Sequence, residues 1–210
     1  MSDANDQKAV LAEGSQRKRE IAATALRLFI VRGYAGTSMA DVAEAIGTTK
    51  GALYHHFSAK EELFVAAVAM DTTVPLEAIE RLADTDGKDG KHWREALGHA
   101  HDAVFVGAMG RMLPVIAQTG NQIPRVARDY HEQVISRFRA ALRSIYSDLS
   151  RTGAYRQLAP HDIDQIVFGP LLANALTASL LKTSDDLKRE NLSHAGKDEF
   201  IAMIERLTRS

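Results

Sequence analysis

No cysteine occurs anywhere in the 210 residues. That excludes a disulfide scaffold, a thiolate metal site and a cysteine nucleophile, and it fits a reducing compartment. No run of 18 apolar residues is present either. The greasiest stretch, Ile163 to Leu181, is broken by Gly169-Pro170 and carries Asp164 and Asn174, so a membrane-spanning helix is not expected. The first twenty residues are charged and lack an apolar centre, which excludes a secretory signal and makes a cytoplasmic location the expectation. There is no strand-like alternation and no internal repeat. A phosphate loop, a dinucleotide fingerprint, Gly-x-Ser-x-Gly and His-Glu-x-x-His are all missing, so the chain is expected not to be an enzyme and to need no cofactor. Metal binding is not expected: among the eight histidines, His99 and His101 are two apart and fall on different sides of a helix. The loop Asp84-Thr-Asp-Gly-Lys-Asp-Gly90 resembles a calcium loop only superficially, because its glycines are misplaced and Asp89 stands at the sixth position, where a calcium loop needs Gly.

What remains is a chain of ordinary globular composition, 45% hydrophobic and 25% charged, long enough for one large domain or a small head on a larger body. Its net charge of −1 conceals an asymmetry. Residues 15–60 carry +4, whereas residues 61–210 carry −3. A basic excess confined to one end is where phosphate neutralisation would be sited.

The basic end contains Thr37 to Lys60, which reads as two very short helices around a tight turn. Val42, Ala43 and Ile46 form an apolar stripe on the first. Thr37 or Ser38 caps it, with Asp41 completing a capping-box shape. Gly47 ends it, since a left-handed residue is cheapest without a Cβ. Thr48 or Thr49 caps the second helix, whose Leu53 and Phe57 point inward. Its opposite face shows Lys50, Gly51, Ala52, Tyr54, His55 and His56. Small residues permit close approach, and hydroxyls with a lysine supply donors for phosphates, as a helix entering a DNA groove requires. Short helix pairs with a glycine turn occur in many all-α proteins, so from these residues alone a structural role stands beside a DNA-binding one.

The segment resembles the DNA-binding domain of the TetR family of bacterial transcriptional repressors. The likeness rests on Phe29-x3-Gly33-Tyr34, Gly36-Thr37-Ser38 and Asp41-Val42-Ala43. It continues through Gly47-Thr48-Thr49-Lys50-Gly51-Ala52-Leu53-Tyr54-x-His56-Phe57 and Lys60-Glu61-x-Leu63, and it covers about residues 15–70. The resemblance implies a homodimer on a palindromic operator, released by a small-molecule effector. It implies phosphate contacts from Thr37, Ser38, Tyr54 and Lys60. Thr48, Thr49, Lys50, Gly51, Ala52, His55 and His56 would face the bases, with Lys50 the candidate for guanine. Ala52 stands where many relatives have Thr or Ser, which puts one hydrogen bond in doubt.

The expected architecture is all-α: a flexible stretch over 1–14, a three-helix helix-turn-helix head over 15–60, and a helical effector-binding and dimerisation body over 61–210, about nine helices in all. The first firm helix begins at Arg17-Lys18-Arg19, either as a solvated start or as a contact to the DNA backbone. Ser58 with Glu61 has the pattern of a capping box for the fourth helix, with Lys60 beside its positive end. Pro124 opens a long helix carrying Val126, Tyr130, Val134, Phe138, Leu142, Ile145 and Leu149. The segment 163–181 is apolar on more than one side and is read as a dimerisation helix, with a central helix inside one subunit as the alternative. The dimer surface would use Ile163, Ile166, Val167, Leu171, Ala175, Leu176 and Leu180, then Phe200, Ile204 and Leu207 of the last helix. Candidate effector-pocket residues are the bulky Trp93, Phe105, Met109, Met112, Tyr130, Phe138 and Phe168, with polar His101, Gln133 and Asn174; plain core packing is the competing account of each. Two rivals remain: the same fold regulating without a small molecule, and an all-α enzyme with a vestigial head.

Overall fold

In the computed structural model the chain is described over residues 2–107, 109–181 and 196–210, with side chains over 14–107, 109–177 and 196–210. Helix α1 spans Ser2–Arg32, α2 Met39–Ala45, α3 Lys50–His56, α4 Lys60–Asp84, α5 Gly90–Phe105 and α6 Met109–Gln122. Then follow α7 (Pro124–Tyr130), a π-helical turn (His131–Ile135), α8 (Ser136–Ser150), α9 (Pro160–Leu181) and α10 (Lys197–Thr208). With α7, the π turn and α8 counted as one rod, the described residues form nine helices. Extended pairing among them is limited to a single bridge between Tyr155 and Arg209. Helix α1 is continuous across the boundary drawn at residue 15.

The head is α1, α2 and α3 packed on the start of α4. Its aromatic centre is Phe29, Tyr34 and Phe64: Phe29 meets Phe64 edge-on at 4.9 Å, and Tyr34 meets Phe64 at 5.1 Å. Gly33 ends α1 with φ 71°, and its N–H donates to Phe29 O at 3.0 Å. At Gly36 an added Cβ would stand 2.3 Å from Arg32 O. Only glycine lets the chain fold back that tightly.

Helix α4 is common to both halves. Its start carries Leu63, Phe64 and Val65 into the head, and its later turns bury Leu76 and Ile79. Pro75 lies within it, where it removes one backbone donor. The anticipated Ser58–Glu61 capping box is one residue out. The N-cap is Ala59, and it is Glu62 that reaches back, accepting from Ser58 N at 2.8 Å and from Ser58 Oγ at 2.7 Å.

The body packs α5 to α10 around a core continuous with that of the head. Salt bridges join its rods at the rim. Arg137 forks onto Glu80 at 2.9 and 2.7 Å, Lys197 reaches Asp102 at 2.6 Å, and Arg139 with Arg143 converges on buried Asp164. The long helix opened by Pro124 is a composite, because the π turn interrupts it after Tyr130.

Candidate nucleic-acid interface

The site is built from two caps and the turn between them. Ser38 is extended (φ −106°, ψ 163°) and its Oγ accepts from Asp41 N at 3.2 Å, while the Asp41 carboxylate accepts from Ser38 N at 2.7 Å. This reciprocal pair satisfies two donors at the start of α2. The Ser38 hydrogen bonds, and to a lesser degree nearby Arg32, hold the Asp41 carboxyl below its usual range. At the far end Gly47 takes φ 65°. Its N–H donates to Glu44 O at 3.0 Å and that of Thr48 donates to Ala43 O at 2.9 Å. These two bonds are a Schellman closure, and they set the angle at which the chain leaves for α3.

Thr49 caps α3, its Oγ1 accepting from Ala52 N at 3.1 Å. Leu53 and Phe57 are buried and anchor the helix to the head. Lys50, Gly51, Ala52, Tyr54 and His55 are exposed on the other side, with Thr48 and His56 half-buried at the edge. The Lys50 ammonium lies 5.7 Å from the Tyr54 ring centre. Gly51 is informative because the fold does not call for it: φ is not positive there, and an added Cβ would meet nothing nearer than Thr49 Oγ1 at 3.9 Å. A glycine costs a helix about 1 kcal/mol relative to alanine. Nothing within the protein requires the methyl to be missing.

Lys60 stands at the first position of α4, 4.0 Å above the ring of Tyr34. Partial burial draws its pKa down, and Glu61 and Asp41 oppose that. Tyr34 in turn has its pKa raised, by burial first and then by Glu61. The sequence contained Tyr34 without revealing this role; an aromatic following a helix-ending glycine reads simply as core. His56 is shifted down by burial, then by His55, Lys18 and Arg17. Cationic charge therefore extends from Arg17 and Lys18, midway along α1, to the end of α3.

Thr37 does not stand on this face. It is 1% exposed, and its hydroxyl donates to Gly33 O at 2.9 Å, so it closes the end of α1 and cannot reach a phosphate.

The residues assigned to a dimer surface divide. Ile163, Val167, Leu171, Ala175, Phe200 and Ile204 are buried within the subunit, which corrects their assignment to an intersubunit face. Leu176 and Leu207 are each 45% exposed, Ile166 is half-buried, and the Leu180 side chain lies outside the described residues. Of the effector-pocket candidates, Trp93, Met109, Met112 and Phe138 are packed into the core. Gln133 is exposed and lines a cleft between α1 and α7, while Phe105, Phe168 and Asn174 are half-buried. His101 is buried between Phe105 and Phe200, at 4.6 and 5.8 Å. Tyr130 is also buried, and its hydroxyl has no hydrogen-bond partner among the described residues. Burial raises its pKa. Among the described residues no cluster of three metal-binding side chains occurs, and no helix is long and apolar enough to cross a membrane.

Residues 21–67 match the model of bacterial regulatory proteins, tetR family. The HTH-type transcriptional repressor AcnR of Corynebacterium diphtheriae is 39% identical over 67 residues, which make up 32% of this chain and 35% of that protein. The match thus spans about a third of the relative's length. Among solved structures, a transcriptional regulator of the TetR/AcrR family from Thermobifida fusca superposes with a TM-score of 0.62 at 24% identity, covering 91% of this chain and 96% of that one. AibR, in complex with isovaleryl coenzyme A and operator DNA, superposes with a TM-score of 0.58 at 21% identity, covering 91% and 97%. At such identities the likeness establishes the fold.

Proposed function

Since the chain belongs to the TetR family of bacterial transcriptional regulators, we propose that it is a cytoplasmic repressor that binds a palindromic operator as a homodimer and leaves it when a small molecule binds. The observation that carries the DNA-binding half is the exposed face of α3, with a glycine the fold does not need and an N-terminus held by Thr49. Lys50 and the amides of the first turn would address base edges, while Ser38, Tyr54 and Lys60 would hold phosphates on either side. Two-fold symmetry would set the two copies of α3 about 34–36 Å apart or a little more.

The dimer would form on the outward face of α9, where Ile166, Gly169, Ala173 and Leu176 recur at helical spacing, continued by Leu207 of α10. Gly169 and Ala173 are exposed, and nothing lies within 4 Å of a Cβ added at Gly169. A partner helix could therefore approach closely. The effector half is supported by the buried Tyr130 hydroxyl, which has no hydrogen-bond partner among the described residues, because buried polar groups are ordinarily satisfied. An acceptor on a ligand would complete it. Release then requires that the effector favour the DNA-incompetent arrangement; shifting a two-state population from one extreme to the other takes about 5.5 kcal/mol over the whole dimer.

Selection of bound fragments from random DNA, followed by sequencing, tests this reading. The expected outcome is an inverted repeat with half-sites about one helical turn or slightly more apart. Recovery of fragments without a shared motif, or of single half-sites only, would reject it.

A further inference from the structure

Between α1 of the head and α7 of the body lies a cleft of about 490 Å³, within the roughly 300–1,000 Å³ typical of small-molecule sites. Its apolar lining comes from Ala22, Phe57, Val65, Ala66 and Met70. Its rim carries three cations, Lys18 and Arg19 from α1 and Arg125 from α7, against two acids, Glu62 and Asp129. Both acids are already engaged. Glu62 accepts from Ser58 N and Oγ, and Asp129 accepts from Arg125 Nε at 3.3 Å. Among the described residues no carboxylate lies within salt-bridge distance of Lys18 or Arg19, although the Glu62 carboxylate feels the charge of Lys18, and the Arg19 guanidinium donates to Ser15 Oγ and Gln16 Oε1.

We infer that this cleft binds an amphipathic organic anion, of which a medium-chain carboxylate is the simplest example, and that occupancy weakens the hold of the head on DNA. The hydrocarbon would lie on the Val65, Ala66 and Met70 side while the carboxylate meets Lys18, Arg19 and Arg125. An organic cation would find no uncommitted carboxylate there. A neutral chain would bury apolar surface but make no charge-assisted hydrogen bond to Lys18 or Arg19. The coupling runs through Lys18. Its ammonium lies 5.8 Å from the ring of Phe57, which closes α3, and its charge is felt by His56 on the same helix. An anion seated on Lys18 cancels part of the positive field that α3 offers to phosphates. This second half rests on the DNA-binding reading; the site itself does not.

Isothermal titration of the full chain with decanoate, decanol and decyltrimethylammonium, each below its aggregation threshold, tests the site. Decanoate should bind once per chain, about tenfold more tightly than either control, the ratio expected for one charge-assisted hydrogen bond. Arg125→Ala, on an exposed body residue that makes no proposed DNA contact, should weaken decanoate by about tenfold, and Lys18→Ala should do likewise. Ala66→Trp should fill the cleft and abolish the heat. Absent binding, equal binding of the three amphiphiles, or decanoate affinity unchanged in both Arg125→Ala and Ala66→Trp would overturn the assignment. Gel shifts on the selected operator test the coupling: saturating decanoate should weaken binding by the wild type and leave Arg125→Ala much less affected. Decanoate that binds without altering the shift would overturn the coupling alone. A chain with no DNA affinity of its own would count against the proposed function while the titration still decides the site.

Discussion

Lys60 is held above the ring of Tyr34, ammonium to ring centre 4.0 Å, at the first turn of α4. The ring orients a side chain that would otherwise sample many rotamers, and the charge is aimed past the positive end of the helix. Lys60→Ala should lower the slope of log K against log salt by about one, because one phosphate contact is lost. Tyr34→Leu keeps the charge and frees it, so the slope should change by less than in Lys60→Ala while affinity still falls. Salt-titrated gel shifts on operator and scrambled DNA measure both. Identical slopes in wild type and Lys60→Ala would remove this lysine from the interface.

Lys50 and Tyr54 lie together on the outer face of α3 but should fail differently. Lys50→Ala removes a base-edge donor and should relax sequence preference, costing about 1–3 kcal/mol on the preferred site and little on scrambled DNA. Tyr54→Phe removes a phosphate donor and should weaken both DNAs alike. Competition binding with single-base operator variants separates the two. A parallel loss in both mutants would reject the division of roles.

Two glycines make opposite predictions. A Cβ at Gly36 would press on the Arg32 carbonyl at 2.3 Å, so Gly36→Ala should destabilise the fold by about 1–3 kcal/mol. A Cβ at Gly51 meets only Thr49 Oγ1, at an ordinary contact distance of 3.9 Å, so Gly51→Ala should raise stability by about 0.5–1 kcal/mol while weakening operator binding. Urea unfolding with parallel gel shifts checks the pair. If Gly51→Ala binds DNA as well as the wild type does, close approach at that point is wrong.

His56 gives a pH signature. In the free chain its pKa lies below the ordinary value of 6.5, through burial and then through His55, Lys18 and Arg17. Facing phosphates it should be drawn upward, so binding takes up a proton and affinity should rise as pH falls from about 7.5 to about 5.5. Fold stability runs the other way. The unfolded chain binds more protons between the depressed folded pKa and about 6.5, so His56 contributes stability at neutral pH that declines as pH drops through that window. His56→Gln should flatten both dependences. Binding whose pH profile is the same in wild type and mutant would place this residue away from the duplex.

Tyr130 carries a buried hydroxyl without a partner among the described residues. Removing an unsatisfied polar atom while keeping the ring should stabilise the ligand-free chain by about 1 kcal/mol. Tyr130→Phe should therefore unfold at higher urea concentration, whereas a small-molecule effector identified by thermal shift should bind it less tightly. A destabilised Tyr130→Phe would mean that the hydroxyl is already satisfied.

The head was legible because its signals are local. Ser38 with Asp41, Gly47, and Thr49 ahead of Ala52 each lie within one turn of the group they satisfy. The Ser58 box slipped by one because Glu61 and Glu62 are adjacent, and spacing alone cannot say which of them turns back. Thr37 was misplaced for a different reason: its hydroxyl serves a carbonyl four residues earlier, and Thr-Ser offers two equivalent caps until the turn is built. In the body, α9 is apolar nearly all round, so its periodicity could not tell the face on its own subunit from the face left outside. Core and pocket draw on the same bulky residue types, and only packing separates them. The rod from Pro124 did leave a trace of its π turn. Val126, Tyr130, Val134, Phe138 and Leu142 are all buried at uninterrupted steps of four, and in a straight α-helix each such step drifts by about 40°. The wider turn over His131–Ile135 takes up that drift.

One apolar interior runs from Ile21 on α1 to Ile204 on α10, and Phe64 of α4 is the edge-on neighbour of both Phe29 and Tyr34. A boundary near residue 60 therefore divides labour but not cohesion. Cutting there would strip the head of its hydrophobic keystone, so an excised fragment of residues 15–60 should be a poor stand-in for the intact regulator, and calorimetry of the whole should record a single melting event.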